Sequence, residues 1–154
     1  MSEARVSVTV RKAVTADLPS ILALYRQLSI TDQVPDAATA AGTWQRILAS
    51  DFMTVHVAEL EGRAVATCVL LIAPNLTRNM RPFALVENVV TEAGLRGQGV
   101  GKRVVQAVIA QAWAEGCYKV MLLTGRKDPA VLGFYEACGF SRGKTAFEVR
   151  RPVA

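Results

Sequence analysis

The chain predicts an α+β fold: a mixed, mostly antiparallel sheet flanked by helices, with a C-terminal βαβ crossover. Three observations predict it. Short alternating or apolar runs with turn residues between them dominate the first half after two helical stretches. The pair Glu61-Gly62 joins two such runs as a hairpin. A glycine-rich turn, Gly94 to Gly101, then links an apolar run to an amphipathic helix and a further strand.

Each element has its own signal. Arg5 to Val10 alternates polar and apolar side chains as a strand does. Thr15 to Gln27 reads as a helix that Thr15 or Asp17 can cap, with Pro19 in its first turn. Leu18, Ile21, Leu22, Tyr25 and Leu28 fall on one face. Pro35 to Ser50 is a second helical stretch with Trp44, Ile47 and Leu48 on its apolar side, weakened by Gly42. Met53 to Leu60 and Arg63 to Ala73 are the hairpin strands, Pro74 to Pro82 a polar loop, and Leu85 to Thr91 a third apolar strand that contains Glu87 and Asn88. Val104, Val105, Val108, Ile109 and Ala112 line one side of the following helix, which runs through Ala114 and stops at Gly116. Tyr118 to Thr124 is a strand, Pro129 to Cys138 a short helix closed by Gly139, and Thr145 to Arg150 a last strand.

The 154 residues suit one domain, 1–154, with a core that needs no staples. Apolar residues make up 51% and charged residues 20%, which excludes disordered, collagen-like and coiled-coil classes. The richest apolar run, Ala64 to Ala73, is interrupted by Thr67 and falls short of the ~20 residues of a membrane span. With no hydrophobic signal core in MSEARVSVTVRK, a soluble, cytoplasmic protein without a membrane partner is expected. Three cysteines without a C-x-x-C and the single His56 leave little material for a metal site, so no metal is expected. Alternating neighbours place His56 on a strand surface rather than in a catalytic triad. The net charge of +5 equals the surplus between Gly94 and Lys127, where six basic residues face one acid, Glu115. Such a field draws an anion, or is a solvated basic face. Nucleic acid is not expected, because there is no basic tail, aromatic-studded strand or zinc spacing.

The segment Leu95-Arg96-Gly97-Gln98-Gly99-Val100-Gly101-Lys102 follows a strand and opens a helix. Free N–H groups and the positive helix end project from such a turn, and glycines let a phosphate approach the backbone. Two phosphate motifs are excluded. A P-loop needs glycine where Arg96 stands and Ser or Thr where Arg103 stands, and the Gly97, Gly99, Gly101 spacing is not G-x-G-x-x-G. Glycines that merely allow tight strand–helix packing are the other reading of the turn.

Arg96-x-x-Gly99-x-Gly101 after an apolar strand resembles the acetyl-CoA signature of the GNAT superfamily of N-acetyltransferases. Leu132-Gly133-Phe134-Tyr135-Glu136-Ala137-Cys138-Gly139-Phe140 is similar to that family's late helix, with its tyrosine and terminal Gly-Phe. Within the superfamily, Val86 to Val90, Gly116 to Val120 and Phe134 to Phe140 look most like the glucosamine-phosphate N-acetyltransferases. The chain departs from them at Glu87-Asn88, where they carry Glu-Asp, and at Thr124 to Pro129, where they carry an acidic segment. Asp128 stands where many members carry Asn near the cofactor arm. The departures lie where the acceptor is held.

The resemblance implies the GNAT acyltransferase fold and transfer of an acetyl group from acetyl-CoA to a primary amine, by direct attack in a ternary complex. It implies a pyrophosphate on the backbone of Arg96, Gly97, Gln98, Gly99, Val100, Gly101 and Lys102, with charge from Lys102 and Arg103, and pantetheine beside Val89 and Val90. An N–H near Val89 becomes the oxyanion donor. Tyr135 is the candidate general acid, since a phenol of pKa near ~10 is protonated at neutral pH; its alternative is a core tyrosine beside Val131, Leu132 and Phe134. Glu87 is the candidate for taking the amine's proton; its alternative is an exposed strand carboxylate. Cys117 and Cys138 look like small buried fillers. A small, anionic acceptor is expected at Asn88, Arg126 and Lys127, with Arg78 and Arg81 as further cations, and aminosugar phosphate is the named alternative. The resemblance also implies a homodimer, with Thr145 to Arg150 and the Leu132 to Phe140 segment near the contact. The reading from another class is a non-catalytic acyl-CoA-binding module.

Overall fold

The structure, a computed structural model, describes residues 6–152, which fall into two compact units divided between Leu122 and Leu123. Arg5, part of the expected first strand, lies outside the described residues.

In the first unit the chain runs β1 (Thr9–Lys12), a 3-10 turn (Thr15–Asp17), α1 (Leu18–Leu28), α2 (Ala37–Leu48), β2 (Met53–Leu60) and β3 (Arg63–Ala73). It continues through a single helical turn, α3 (Thr77–Met80), to β4 (Phe83–Thr91), α4 (Val100–Ala114) and β5 (Val120–Met121). One sheet holds the strands in the order β1-β2-β3-β4-β5. The first four are antiparallel and β5 is parallel to β4, so β4, α4 and β5 form the expected crossover. The β2–β3 turn uses Glu61 (φ 51°) and Gly62 (φ 78°), the left-handed pair of a tight hairpin.

Both sheet faces are covered. On one, Val100, Val104, Val108 and Ala112 of α4 pack on Val65, Leu70 and Val86. On the other, Leu18, Ile21 and Leu22 of α1 and Trp44 of α2 pack on Val55, Val57 and Val69. Each such side chain contributes roughly 1.5–3 kcal/mol by leaving water, which secures both helix layers. Gly42 is tolerated within α2 because this packing and the Asp36 cap, whose carboxylate accepts from the Thr39 N–H at 2.8 Å, outweigh about 1 kcal/mol of lost helix propensity.

Several expectations are corrected. The first strand lies later, at Thr9–Lys12, where it pairs with Glu59 to His56. The first helix is preceded by a 3-10 turn, and Asp17 does not cap it. Its carboxylate instead accepts the Val14 N–H at 2.7 Å and both Arg11 terminal nitrogens at 2.7 and 2.9 Å, while Arg11 Nε donates to Glu59. The Pro74 to Pro82 loop contains α3, whose Arg78, Asn79 and Met80 have left-handed φ. The strand expected from Tyr118 to Thr124 shrinks to two residues, paired only with Ala84 and Leu85. No strand forms at Thr145 to Arg150, because a strand exists only where another offers hydrogen bonds, and Phe147 and Val149 stand 90% and 97% exposed. His56 is not on a strand surface: it is 6% exposed, opposite Cys68 on β3. Burial and Lys12 hold its pKa below the ordinary value, against a hydrogen bond with Gln111.

In the second unit α5 (Pro129–Ala137) is capped by Asp128, whose carboxylate accepts from the Ala130 N–H at 2.9 Å. Gly139 (φ 104°) ends it, with Phe140 N–H donating to Tyr135 O at 3.1 Å.

The Arg11 guanidinium holds the Asp17 carboxyl below the usual carboxylate range. A depressed folded-state pKa gives stability above the ordinary value that is lost as pH falls through the folded one. Asp17→Asn is expected to cost about 2 kcal/mol at neutral pH in urea denaturation. That difference from wild type should shrink once the pH drops below about 4; a pH-independent difference would detach it from the Arg11 pair.

Candidate active site

Between Thr67 and Val69 on β3 the register of β4 slips. Thr67 faces Val90 and Val69 faces Glu87, so Cys68 alone stands opposite both Asn88 and Val89. This is a β-bulge, and Asn88 carries it at φ 51°, a left-handed conformation that Asn tolerates better than most residues. The extra residue breaks the alternation of faces. Glu87 and Asn88, neighbours in sequence, both line one cavity between the sheet, α1 and α2. Val89 packs toward the α4 side and Val90 is buried.

That cavity has a volume of about 630 Å³. Tyr25 of α1 reaches it and shares a side-chain hydrogen bond with Asn88. Burial pushes the Tyr25 phenol above its ordinary pKa, and the bond to Asn88 works against that. Tyr25 was legible only as part of an apolar face, yet a hydroxyl on such a face calls for a polar partner, which is the signal that marks it. Asp32 and Trp44 also line the cavity and were not singled out as site residues.

Beyond Thr91 the chain enters the glycine-rich turn. Gly97 and Gly99 adopt φ of 76° and 80°, which residues with a Cβ reach only under strain. Gly99 is the residue before α4 and offers no side-chain cap. The first bond into the helix is Arg103 N–H to Gly99 O at 3.2 Å. The N–H groups of Val100, Gly101 and Lys102 therefore precede the helical ladder, at the positive end of a 15-residue helix. Arg96 braces the turn through Nε to Thr91 O at 3.0 Å, and Gln98 does so through its amide to Gly94 O at 3.1 Å. Arg103 donates to Val6 O at 3.4 Å. No Cβ clash would arise at Gly97 or Gly99, so it is their φ that demands glycine. A left-handed turn before N–H groups that lie outside the helical ladder fits a pyrophosphate.

The first unit thus brings Glu87, Asn88, Val89, Val90 and the Arg96 to Arg103 turn onto one strand–turn–helix segment. Arg78 and Arg81 lie at α3, Arg78 stacking over the Tyr118 ring at 5.8 Å. Tyr135, Asp128, Arg126 and Lys127 belong to the second unit. There Tyr135 is half-buried, edge-on to Phe134 and Phe140 at 5.1 and 6.3 Å, Asp128 caps α5, and Arg126 N–H donates to Thr124 Oγ1. Among the described residues no group of three or more His, Cys, Asp or Glu could hold a metal ion, and no helix is long and apolar enough to cross a membrane. Cys117 and Cys138 are buried, as expected of small fillers.

The profile of the acetyltransferase (GNAT) family matches residues 19–140. The chain belongs to that family. It is 34% identical over 121 residues to glucosamine 6-phosphate N-acetyltransferase 1 of Oryza sativa subsp. japonica, covering 77% of this chain and 72% of the relative. A solved structure from Agrobacterium tumefaciens str. C58 matches with a TM-score of 0.90 at 48% identity, covering 93% of this chain and 99% of that one. The crystal structure of glucosamine-6-phosphate N-acetyltransferase from Arabidopsis thaliana matches with a TM-score of 0.81 at 28% identity, over 94% and 98% of the two chains. The fold is the GNAT fold, and the enzyme is an acyl-CoA-dependent N-acetyltransferase.

Gly99→Asp places a Cβ at φ 80° and a carboxylate in the turn. CoA is expected to raise the melting temperature of the wild type and not of this variant, and calorimetry should find no CoA binding to the variant. Equal CoA affinity in both proteins would remove the turn from the cofactor site.

Proposed function

We propose that the enzyme moves the acetyl group of acetyl-CoA to the primary amine of a small acceptor by direct attack in a ternary complex. The observation that carries this reading is the bulged β4 followed, through the glycine-rich turn, by the Gly99-opened N-terminus of α4. The backbone from Arg96 to Lys102 holds the pyrophosphate, Lys102 and Arg103 add charge, and Val89 and Val90 border the pantetheine. Acetyl-CoA supplies an activated acetyl thioester. The N–H near Val89 receives the charge that grows on its carbonyl oxygen. Glu87 takes a proton from the attacking amine, directly or through water, and Tyr135 gives its proton to the departing sulfur. Asp128 orders the start of α5, the helix that carries Tyr135. Positioning of the two reactants can account for about 7–11 kcal/mol of the barrier, and this chemistry asks for no covalent enzyme intermediate. We read residues 1–154 as one acetyltransferase domain acting in the cytoplasm, without nucleic acid or membrane. A non-catalytic acyl-CoA-binding module is the competing class, and turnover of acetyl-CoA over a panel of amines decides between them.

A second reading concerns the acceptor. The names of the relatives favour an aminosugar phosphate, an anionic acceptor for which Arg126 and Lys127 are candidate cations. The homodimer expected from the same resemblance gains support from the exposed, unpaired Phe147 and Val149, which suit a contact with a second copy.

Tyr135→Phe is expected to lower kcat about 10²-fold with little change in the KM for acetyl-CoA, because its proton is needed only as the sulfur leaves. Unchanged turnover would return Tyr135 to a packing role. Light scattering should find twice the 16.6 kDa chain mass, and a particle of 16.6 kDa would count against the dimer.

A further inference from the structure

The cavity that Glu87 and Asn88 enter is built for a different chemistry from that of a sugar phosphate. Its apolar wall includes Leu22 of α1, Trp44 and Ile47 of α2, and Val55, Val69 and Leu71 of the sheet. Trp44 spends its one polar group on the Thr15 carbonyl at 3.3 Å, so its ring is presented as hydrocarbon. The charged residues of the lining are Asp32 and Glu87, both acidic, and no Lys or Arg takes part among the described residues. Tyr25 holds Asn88 beside Glu87, and the uncharged side chains of Ser29, Gln33, Thr39 and Thr43 line the cavity as well. The volume of about 630 Å³ is typical of small-molecule sites.

From this arrangement we infer that the acceptor is a small primary monoamine with an aromatic or branched apolar body. The body lies against Leu22, Trp44 and Ile47, and the amine lies at Glu87 and Asn88. The inference rests on the acetyl-transfer reading above and sets the substrate class of that site. A phosphate placed against this lining would meet two carboxylates and no Lys or Arg of it, and a fully hydroxylated ring would set hydroxyls against the Leu22, Trp44 and Ile47 wall, which cannot pair them. An ammonium group is drawn by those carboxylates, while apolar walls receive the rest of the molecule. The transfer balances within the known chemistry. The amine nitrogen forms the C–N bond as the C–S bond breaks, two protons leave the ammonium nitrogen through Glu87 and water, the sulfur takes one from Tyr135, and the Tyr135 phenolate is reprotonated from water, so one proton is released in all.

The test is acetyl-CoA consumption with 2-phenylethylamine, glucosamine, glucosamine 6-phosphate and spermidine, with CoA binding measured in parallel by calorimetry. We expect kcat/KM for 2-phenylethylamine to exceed that for glucosamine 6-phosphate by at least about tenfold. Thr43→Arg, at an exposed position of α2 that lines the cavity, should raise the KM for 2-phenylethylamine by about tenfold while CoA binding and the melting temperature stay at wild-type values. A higher kcat/KM for glucosamine 6-phosphate, glucosamine or spermidine overturns the apolar-acceptor assignment and leaves acetyl transfer standing. CoA binding without turnover of 2-phenylethylamine, or a Thr43→Arg variant with unchanged KM, overturns it as well. Absence of CoA binding to the wild type brings down the acetyl-transfer reading itself.

Discussion

One extra residue in β4 organises the first unit. A regular strand would point Asn88 toward the α4 layer, opposite to Glu87, and would continue its pairing with both neighbours. The bulge instead turns Asn88 to the same side as Glu87, where Tyr25 binds it. A bulge also bends its strand and increases the local twist. The pairing of β5 with β4 stops at Leu85, two residues before the slip, which agrees with a strand that swings away from its parallel neighbour there. The backbone that carries the register change then delivers Val90 and Thr91 to the glycine turn.

The second constraint is the sign of φ. Asn88, Gly97 and Gly99 are all left-handed within twelve consecutive residues, at the bulge and at the entry to α4. Such conformations cost roughly 1–2 kcal/mol for an ordinary residue and are stable only because the flanking elements hold them. β4 is anchored by β3 along most of its length, and α4 buries Val100, Val104, Val105, Val108 and Ala112. Two well-packed elements therefore fix a connection whose left-handed positions are glycines and whose first helical N–H groups lie outside the helical ladder. Rigid packing on either side suits the proposed phosphate cradle of backbone N–H groups.

Charge is divided between two places. The basic surplus of the sequence runs along the turn, α4 and the segment from Lys119 to Lys127, whereas the cavity under α1 and α2 has Asp32 and Glu87 as the charged groups of its lining. A site for an anionic cosubstrate and a site for a cationic amine need opposite fields, and a GNAT chain must supply both. The relatives named for a sugar phosphate share the fold. In the acceptor proposal, preference follows from the side chains that line one cavity, and those can change while the sheet stays the same.

The sequence by itself determined the fold class, the hairpin at Glu61-Gly62, the crossover and the glycine turn, because each depends on neighbours within one turn or one strand. Periodicity and the φ preferences of glycine are local properties, legible without partners. It could not determine the β4 bulge, since a register slip is a relation between Cys68 and two residues of another strand. Nor could it show that Asp17 serves Arg11 rather than the helix, or that His56 is inside, because burial is decided by what packs on top. The expected strand at Thr145 to Arg150 fails for the same reason: alternation is a property of the segment, but pairing requires a second strand within hydrogen-bonding reach. Tyr25, Trp44 and Asp32 come from two helices and the loop between them, and only the tertiary structure made them the lining of one cavity.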